Sequence, residues 1–387
     1  MAIKVIYLNI GKPTQGVVNK LNDKIDCMKL AGLDVQIKSI ELRDAKNNNP
    51  RPDVVLVNAK IISKLSKIPF FWRLEAVVSH FLLYKAMAAQ AKHWQVDFII
   101  LRYPTADFFF WWYLKSLRIP VVFEHNTIEA LELNIRRKNS FYYQYSYWSE
   151  RLFGKSARLL AKGLVCVTGE IAAHQQARSN FNVPTVVVSN GIKVNRLPIK
   201  RVKKFDGRSL NLLFLAGSDA PWHGLDVLDD IMRQAATCNV HCFVAGGIAA
   251  IYKEKLSQNR NMTLLPLQTQ ADLNLLVNDC HIGISSLGFE GFLKQACTLK
   301  VREYWGRGLP FVLGYDDTDL LDMPEMKDFY FQVQPADGIK LQAIVDFAKR
   351  VYEIENVSEK MRQLALRKID YSVKAGLYLN FLTDIRE

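Results

Sequence analysis

The sequence lacks any uncharged apolar run near the roughly 20 residues that a membrane-crossing helix needs. The apolar stretch Phe108 to Leu114 is far too short. No secretory signal is visible at the start, where Met1-Ala2-Ile3-Lys4-Val5-Ile6-Tyr7-Leu8-Asn9 reads instead as a first strand. The six cysteines, Cys27, Cys166, Cys238, Cys242, Cys280 and Cys297, form no C-x-x-C pair. Cys238, His241 and Cys242, with Cys280-His281 later, fit no zinc ribbon or redox pair. Reduced, buried thiols are expected, as for Cys166 inside Leu164-Val165-Cys166-Val167. There is no internal repeat, no low-complexity segment, no paired-carboxylate metal motif and no RNA- or DNA-binding motif. These absences predict a soluble or membrane-peripheral protein of the cytoplasm, with no metal and no nucleic-acid partner.

What is present is an α/β pattern long enough, at 387 residues, for two domains. Strands are predicted at 3–9, 33–40, 54–57, 97–102, 120–124, 164–168 and 184–189, then at 210–216, 240–245, 262–267, 281–286, 310–314 and 329–333. Most are continuous apolar runs, which suit parallel strands covered on both faces by helices. The polar, basic segment Lys200 to Arg208 separates two βα series. It predicts an N-terminal Rossmann-like domain over 1–205 and a C-terminal one over 206–387. Near the C-terminus Val373, Leu377, Phe381 and Ile385 form an i, i+4 stripe, so a last helix over about 373–387 packs on its own domain or crosses back to the first.

Charge is divided unevenly. Residues 1–205 hold 32 Lys and Arg against 14 Asp and Glu, whereas residues 206–387 hold 19 against 24. The basic half also carries three aromatic runs: Ile68 to Arg73, Phe108 to Tyr113 and Phe141 to Trp148. Aromatic rings beside Lys and Arg suit the edge of an anionic bilayer; core rings beneath a solvated charged face are the plainer alternative.

The stretch Leu299-Lys300-Val301-Arg302-Glu303-Tyr304, closed by Gly308-Leu309-Pro310, reads as a short helix starting at an N-cap Thr298. A helix N-terminus after a strand and a Gly-containing loop offers free N–H groups and a positive dipole end, a seat for a diphosphate. Glu303, about one turn in, can accept hydrogen bonds from ribose hydroxyls, or be an ordinary surface acid. At the ends of first-half strands stand Gly11 and Gly16, Arg102 and Tyr103, and Glu124-His125-Asn126, all where open α/β sheets bind ligands.

With these motifs in order, the sequence resembles the family-4 retaining glycosyltransferases. The resemblance covers nearly the whole chain. Val186 to Ile192 is similar to the family's strand ending in Asn-Gly-Ile. Leu213 to Gly217, followed by Trp222-His223-Gly224-Leu225-Asp226, resembles the start of its donor domain. The 299–310 pattern resembles its nucleotide-sugar helix and the strand after it.

The resemblance implies the GT-B fold, two Rossmann-like domains facing across a cleft, and metal-independent transfer of a sugar. The donor would be a UDP- or GDP-linked sugar, with no further cofactor. The acceptor would be a membrane-borne glycan, for instance one linked to polyprenyl diphosphate, or another polysaccharide precursor, with the basic half at the inner face of an anionic membrane. It implies roles for His125 and Glu303 as catalytic residues. It gives the donor to Gly217, Ser218, His223, Gly224, Gln295, Leu299, Lys300 and Glu303, and the acceptor or sugar to Gly11, Gly16, Arg102, Glu124 and Asn126. Two departures stand out. The family's first Glu falls on Gln295, and its loop Arg and Lys fall on Ser218 and His223. They motivate the alternative of a non-catalytic GT-B sugar-binding or scaffold protein.

Overall fold

The computed structural model describes residues 2–12, 15–43, 53–58, 62, 74–137, 140–201, 205–217, 220–237, 239–288, 292–334 and 338–386. The expectations on Ser218, Cys238 and the aromatic run 68–73 fall outside these residues. The chain divides into two units: Met1–Val188 with Ala375–Glu387, and Ser189–Lys374.

The first unit is built on a parallel sheet of β1 (Lys4–Ile10), β2 (Asp34–Leu42), β3 (Val54–Val57), β4 (Phe98–Arg102), β5 (Val121–His125), β6 (Gly163–Cys166) and β7 (Thr185–Val187), in the order β3-β2-β1-β4-β5-β6-β7. Its connections include α1 (Gln15–Leu30), α2 (Glu75–Ala91), α3 (Phe108–Lys115), α4 (Glu129–Arg136), α5 (Phe141–Arg158) and α6 (Gly169–Arg178). The apolar runs of β5 and β6 are buried along their whole length, as both faces of a parallel strand must be. Side-chain caps start three helices: Asp107 accepts from Phe110 N, Ser140 from Tyr142 N and Thr168 from Ile171 N.

The second unit repeats the plan with β8 (Leu210–Ala216), β9 (Val240–Gly246), β10 (Met262–Leu265), β11 (Ile282–Ile284), β13 (Phe311–Leu313) and β15 (Tyr330–Gln332), ordered β10-β9-β8-β11-β13-β15 and parallel. A separate ribbon pairs β12 (Gln295–Ala296) with β14 (Asp316–Asp317). The helices are α7 (Leu225–Arg233), α8 (Ala250–Ser257), α9 (Gln270–Asp279), α10 (Leu299–Arg307), α11 (Leu341–Glu353), α12 (Val357–Lys368) and α13 (Tyr371–Asp384). In both sheets the third, second and first strands lie on one side and the later ones on the other. The direction of winding therefore reverses between β1 and β4, and again between β8 and β11, the positions where such sheets open a crevice.

The units divide after Val188, ahead of the basic segment near 205. Residues 189–200 are bonded into the second unit: Ser189 Oγ donates to the Asp319 carboxylate, Tyr371 N to Ile192 O, Lys200 N to Arg307 O and Arg362 Nη1 to Leu197 O. A run of cations marks a solvated stretch of chain, not the place where tertiary hydrogen bonds change sides.

From Ala375 onward α13 belongs to the first unit. Its buried face keeps only the second half of the i, i+4 stripe read from the sequence, Phe381 and Ile385. Val373 and Leu377 are exposed, whereas Ala375, Tyr378, Phe381, Leu382 and Ile385 are buried. Phe381 and Ile385 pack over Gly163 of β6, where a Cβ would come within 2.7 Å of the Phe381 ring. The missing side chain makes the room for the helix. Among the described residues no helix is long and apolar enough to cross a membrane. Cys27, Cys166, Cys242, Cys280 and Cys297 are buried thiols outside any disulfide.

Candidate active site

In the second unit the expected residues gather at the β8/β11 reversal. Strand β8 ends at Ala216, and Gly217 follows with nothing within 4 Å of its missing Cβ, so the backbone there is open to a ligand. A short turn over Pro221–His223 leads to Gly224, which is left-handed at φ 69° and directly precedes α7. A Cβ on Gly224 would lie 2.7 Å from Gly288 N, so the loops after β8 and β11 touch through backbone. His223 Nδ1 is 3.2 Å from Ser286 Oγ. Burial, and then the charge of Lys300, push the His223 imidazole down to about 3, so it is neutral at working pH and supplies no positive charge.

Helix α10 is seated against the same reversal. Its Tyr304 hydroxyl accepts from Leu215 N and faces the carbonyls of Leu213 and Ile284 at 3.0 and 3.1 Å, joining the helix to β8 and β11. Gly283 admits that ring, since a Cβ there would sit 2.6 Å from it. Arg302, fully buried, holds Asp317 at 2.6 Å and Asp319 at 2.5 Å. The expected helix is confirmed over Leu299–Arg307, with Gly308 left-handed at its end. Thr298 does occupy the N-cap, but its hydroxyl bonds Tyr315 and Ser285 and does not cap the helix. The first N–H groups are thereby left to another acceptor.

Lys300 is the unusual group. It is buried, its Nζ lies 4.0 Å from the centroid of the Phe214 ring, and that Nζ has no hydrogen-bond partner among the described residues. Burial pushes its ammonium down to about 7. An orphaned ammonium beside an uncapped helix N-terminus is a site short of an anion. Glu303, one turn on, is partly exposed and is held at 2.9 Å by Arg307, which also bonds Asn274. Gln295 stands in strand β12, opposite Asp316 of β14.

In the first unit the candidates stand at the ends of β1, β4 and β5. Gly11 follows β1 with φ 90°, its N–H bonded to Ile40 O. Gly16 lies in the first turn of α1. Arg102 ends β4 and is half-buried. Successive residues of β5 then diverge, as strand alternation requires.

Glu124 turns to a buried cluster where Lys24 and the hydroxyls of Tyr7 and Tyr378 meet its carboxylate. Burial alone would raise this carboxyl, but the Lys24 and Lys20 charges and the hydrogen bonds hold it far below the usual range. Its oxygens are thus occupied by its own unit, which speaks against a direct role in binding acceptor. Asn126 lies beside it, half-buried, and accepts from Lys20.

His125 turns the other way. It is fully buried, its Nδ1 is 2.7 Å from Glu129 Oε1, its ring lies 4.4 Å from that of Tyr103, and its Nε2 has no partner among the described residues. Glu129 is fixed in turn by Arg158 and Gln175, and Arg158 is bonded to Glu150. Burial would raise the Glu129 carboxyl, but His125 and Arg158 hold it at about 2. An ionised Glu129 requires the proton on Nδ1 and leaves Nε2 as the acceptor when the ring is neutral. Glu129 was not among the residues expected from sequence, though its place four residues after His125, at a helix start following a strand end, is a readable signal.

Over residues 41–196 the sequence matches the family model for Glycosyltransferase Family 4. No curated protein matches the chain. Among solved structures, the chain is similar to Anabaena Alr3699/HepE in complex with UDP and glucose, at 14% identity and TM-score 0.63, covering 99% of this chain and 100% of that one. It is also similar to sucrose-phosphate synthase from Thermosynechococcus elongatus, at 11% identity and TM-score 0.68, over 99% and 98% of the two chains. The lipopolysaccharide outer core galactosyltransferase WaaB in its apo form aligns at 13% identity and TM-score 0.55, over 99% of each chain. The two doubly wound units have the GT-B fold of these structures.

Proposed function

We propose that this chain, a glycosyltransferase by its family-4 segment and its GT-B fold, binds a nucleotide-sugar in its second unit and passes the sugar, with retention, to a membrane-borne glycan acceptor. The observation that carries the reading is the Lys300 ammonium, without a hydrogen-bond partner among the described residues, beside the uncapped start of α10. In sugar transfer the bond from the anomeric carbon to the donor diphosphate breaks and negative charge grows on the diphosphate. Fixed N–H groups, the dipole of α10 and Lys300 would stabilise that charge as it develops. That HepE, which shares the fold, was solved in complex with UDP and glucose supports a nucleoside diphosphate as the ligand, and Glu303 would accept from the ribose hydroxyls.

Retention follows if the acceptor hydroxyl attacks the face that the diphosphate leaves, through an oxocarbenium-like transition state, with a donor phosphate oxygen taking the proton. His125 would bond the transferred sugar through Nε2, in the tautomer fixed by Glu129. The membrane-borne acceptor is supported by the basic charge of the first half.

The test is a panel of UDP- and GDP-sugars scored first for thermal stabilisation, then for nucleotide release in the presence of polyprenyl-diphosphate-linked acceptors. One nucleotide-sugar should stabilise the protein and be turned over with the anomeric configuration kept. His125→Ala should abolish turnover while leaving nucleotide affinity in place. Stabilisation by none of the panel would sink the proposal. Gln295, an uncharged side chain in place of a carboxylate, favours one second reading, a non-catalytic sugar-binding scaffold. Binding without any turnover would select it.

A further inference from the structure

On the outer side of the first unit, helices α4, α5 and α6 enclose a groove of about 480 Å³ that none of the candidate site residues lines. Arg151 and Lys155 of α5 and Arg178 of α6 line it, and no carboxylate does. The nearby acids are engaged elsewhere: Glu129 and Glu150 are buried against Arg158, and Glu132 pairs with Arg136 at 3.0 Å. Arg151 reaches Tyr147 Oη at 2.9 Å, and its guanidinium lies against the Tyr147 and Trp148 rings. Arg178 Nη2 donates to Glu150 O at 3.1 Å, but among the described residues no carboxylate pairs with any of the three cations, and such a concavity makes a site for a phosphate group.

Beside the groove lies an exposed apolar surface. On α5 the stripe Tyr147, Arg151, Lys155 runs beside a second stripe, Trp148 and Leu152, turned about 100° around the helix axis. Trp148 is 55% exposed and Leu152 72%. Leu131 and Ile135 continue the apolar surface on α4, at 40% and 39% exposure. Scattered exposed side chains of this kind need no explanation, but here they flank a cationic groove on adjoining helices. The third aromatic run of the sequence thus divides into a buried side at Tyr147 and an exposed one at Trp148.

Large apolar side chains at the level of fixed cations match the boundary of an anionic bilayer, where acyl chains begin just beneath phosphate headgroups. A free phosphate would match only the cationic stripe. We infer that this groove is the seat of a phosphate-bearing lipid headgroup, through which the first unit docks on an anionic membrane with Trp148 and Leu152 inserted at the interface. The inference deepens the membrane-facing part of the proposed function and rests on it.

The experiment is co-sedimentation of the full chain with neutral phosphatidylcholine vesicles and with vesicles that also contain about one-third phosphatidylglycerol. Wild-type protein should partition onto the anionic vesicles, less so as salt rises. Arg151→Ala with Lys155→Ala should weaken that partitioning by about 30-fold, at roughly fivefold per cation. Trp148→Ala with Leu152→Ala should weaken it at every salt concentration. All four substituted positions are exposed or lie at the groove, so melting temperature and affinity for UDP or GDP should stay at wild-type values, a control that separates this inference from the donor site. Equal partitioning onto neutral and anionic vesicles would overturn the inference, as would unchanged binding by the Arg151/Lys155 variant. Loss of vesicle binding with donor affinity intact in the variants supports the groove; failure of wild-type protein to bind any nucleotide would instead defeat the donor reading and leave the groove standing.

Discussion

Replacing Lys300 by Met tests the donor site most directly, because folding and binding should move in opposite directions. The Lys300 ammonium falls from 10.5 to about 7 on burial. That difference corresponds to roughly 5 kcal/mol by which the charged form is disfavoured in the fold. A Lys whose folded pKa is depressed binds fewer protons folded than unfolded between those two values, so wild-type stability should rise as pH climbs from about 7 toward 10.5. Lys300→Met removes the burdened charge, keeps the length of the side chain, and leaves no orphaned nitrogen over Phe214.

The variant should therefore be more stable than wild type by a few kcal/mol at pH 7, measured by urea unfolding, with the gap closing near pH 10. Affinity for the nucleoside diphosphate should fall by about 1.5–3 kcal/mol, the usual worth of a charge-assisted hydrogen bond. A bound diphosphate would also restore the ammonium. At pH 8.5 wild-type protein should then take up close to one proton per nucleotide, seen as a dependence of binding heat on the ionisation enthalpy of the buffer, and Lys300→Met should not. Proton-neutral binding by the wild type together with unchanged affinity in the variant would refute the reasoning.

Three further outcomes are expected. Glu303→Ala should weaken nucleotide binding by about 1–3 kcal/mol and, because it takes the carboxylate from the buried Arg307 guanidinium, should also lower the melting temperature; titration calorimetry on the folded variant decides the binding part. Gly224→Ala should destabilise the second unit by about 1–3 kcal/mol, because φ 69° is left-handed and the new methyl meets Gly288 N; an unaltered denaturation midpoint would remove the close loop contact. Acidification should weaken the first unit as pH falls from about 4.5 toward 2, because a Glu129 carboxyl held at about 2 contributes its full stability above the unfolded value of 4.5 and loses it progressively down to the folded one. The loss should approach 3 kcal/mol on an order-of-magnitude basis, and Glu129→Gln should flatten that part of the profile.

The strands were readable because a parallel strand buried on both faces is written as an unbroken apolar run, as in Val121-Val122-Phe123 or Leu212-Leu213-Phe214. Two-residue strands such as β12 and β14 carry too few side chains to show a period, and they escaped the pattern. Site positions at strand ends were legible from the reversal rule, but the direction of each side chain was not. Glu124 and His125 are neighbours in sequence, yet one is sealed by Lys24 and Tyr378 while the other meets Glu129. Nor could composition reveal that Lys300 lacks a partner or that His223 is neutral, since both follow from burial by residues far apart along the chain. The final stripe was half right: Phe381 and Ile385 pack on Gly163, where the missing side chain makes the docking surface, whereas Val373 and Leu377 face solvent.

That docking surface bears on how the protein is made. Tyr378 and Phe381 complete the first unit, around Glu124 and against Gly163, yet they leave the ribosome only after the whole of the second unit. Until then a nascent first unit holds a buried ion pair with one hydrogen bond missing and a bare strand beneath it. Synthesis must carry it through that incomplete stage, which makes the residues from Ala375 onward a late-made latch on a unit whose strands come before the second unit.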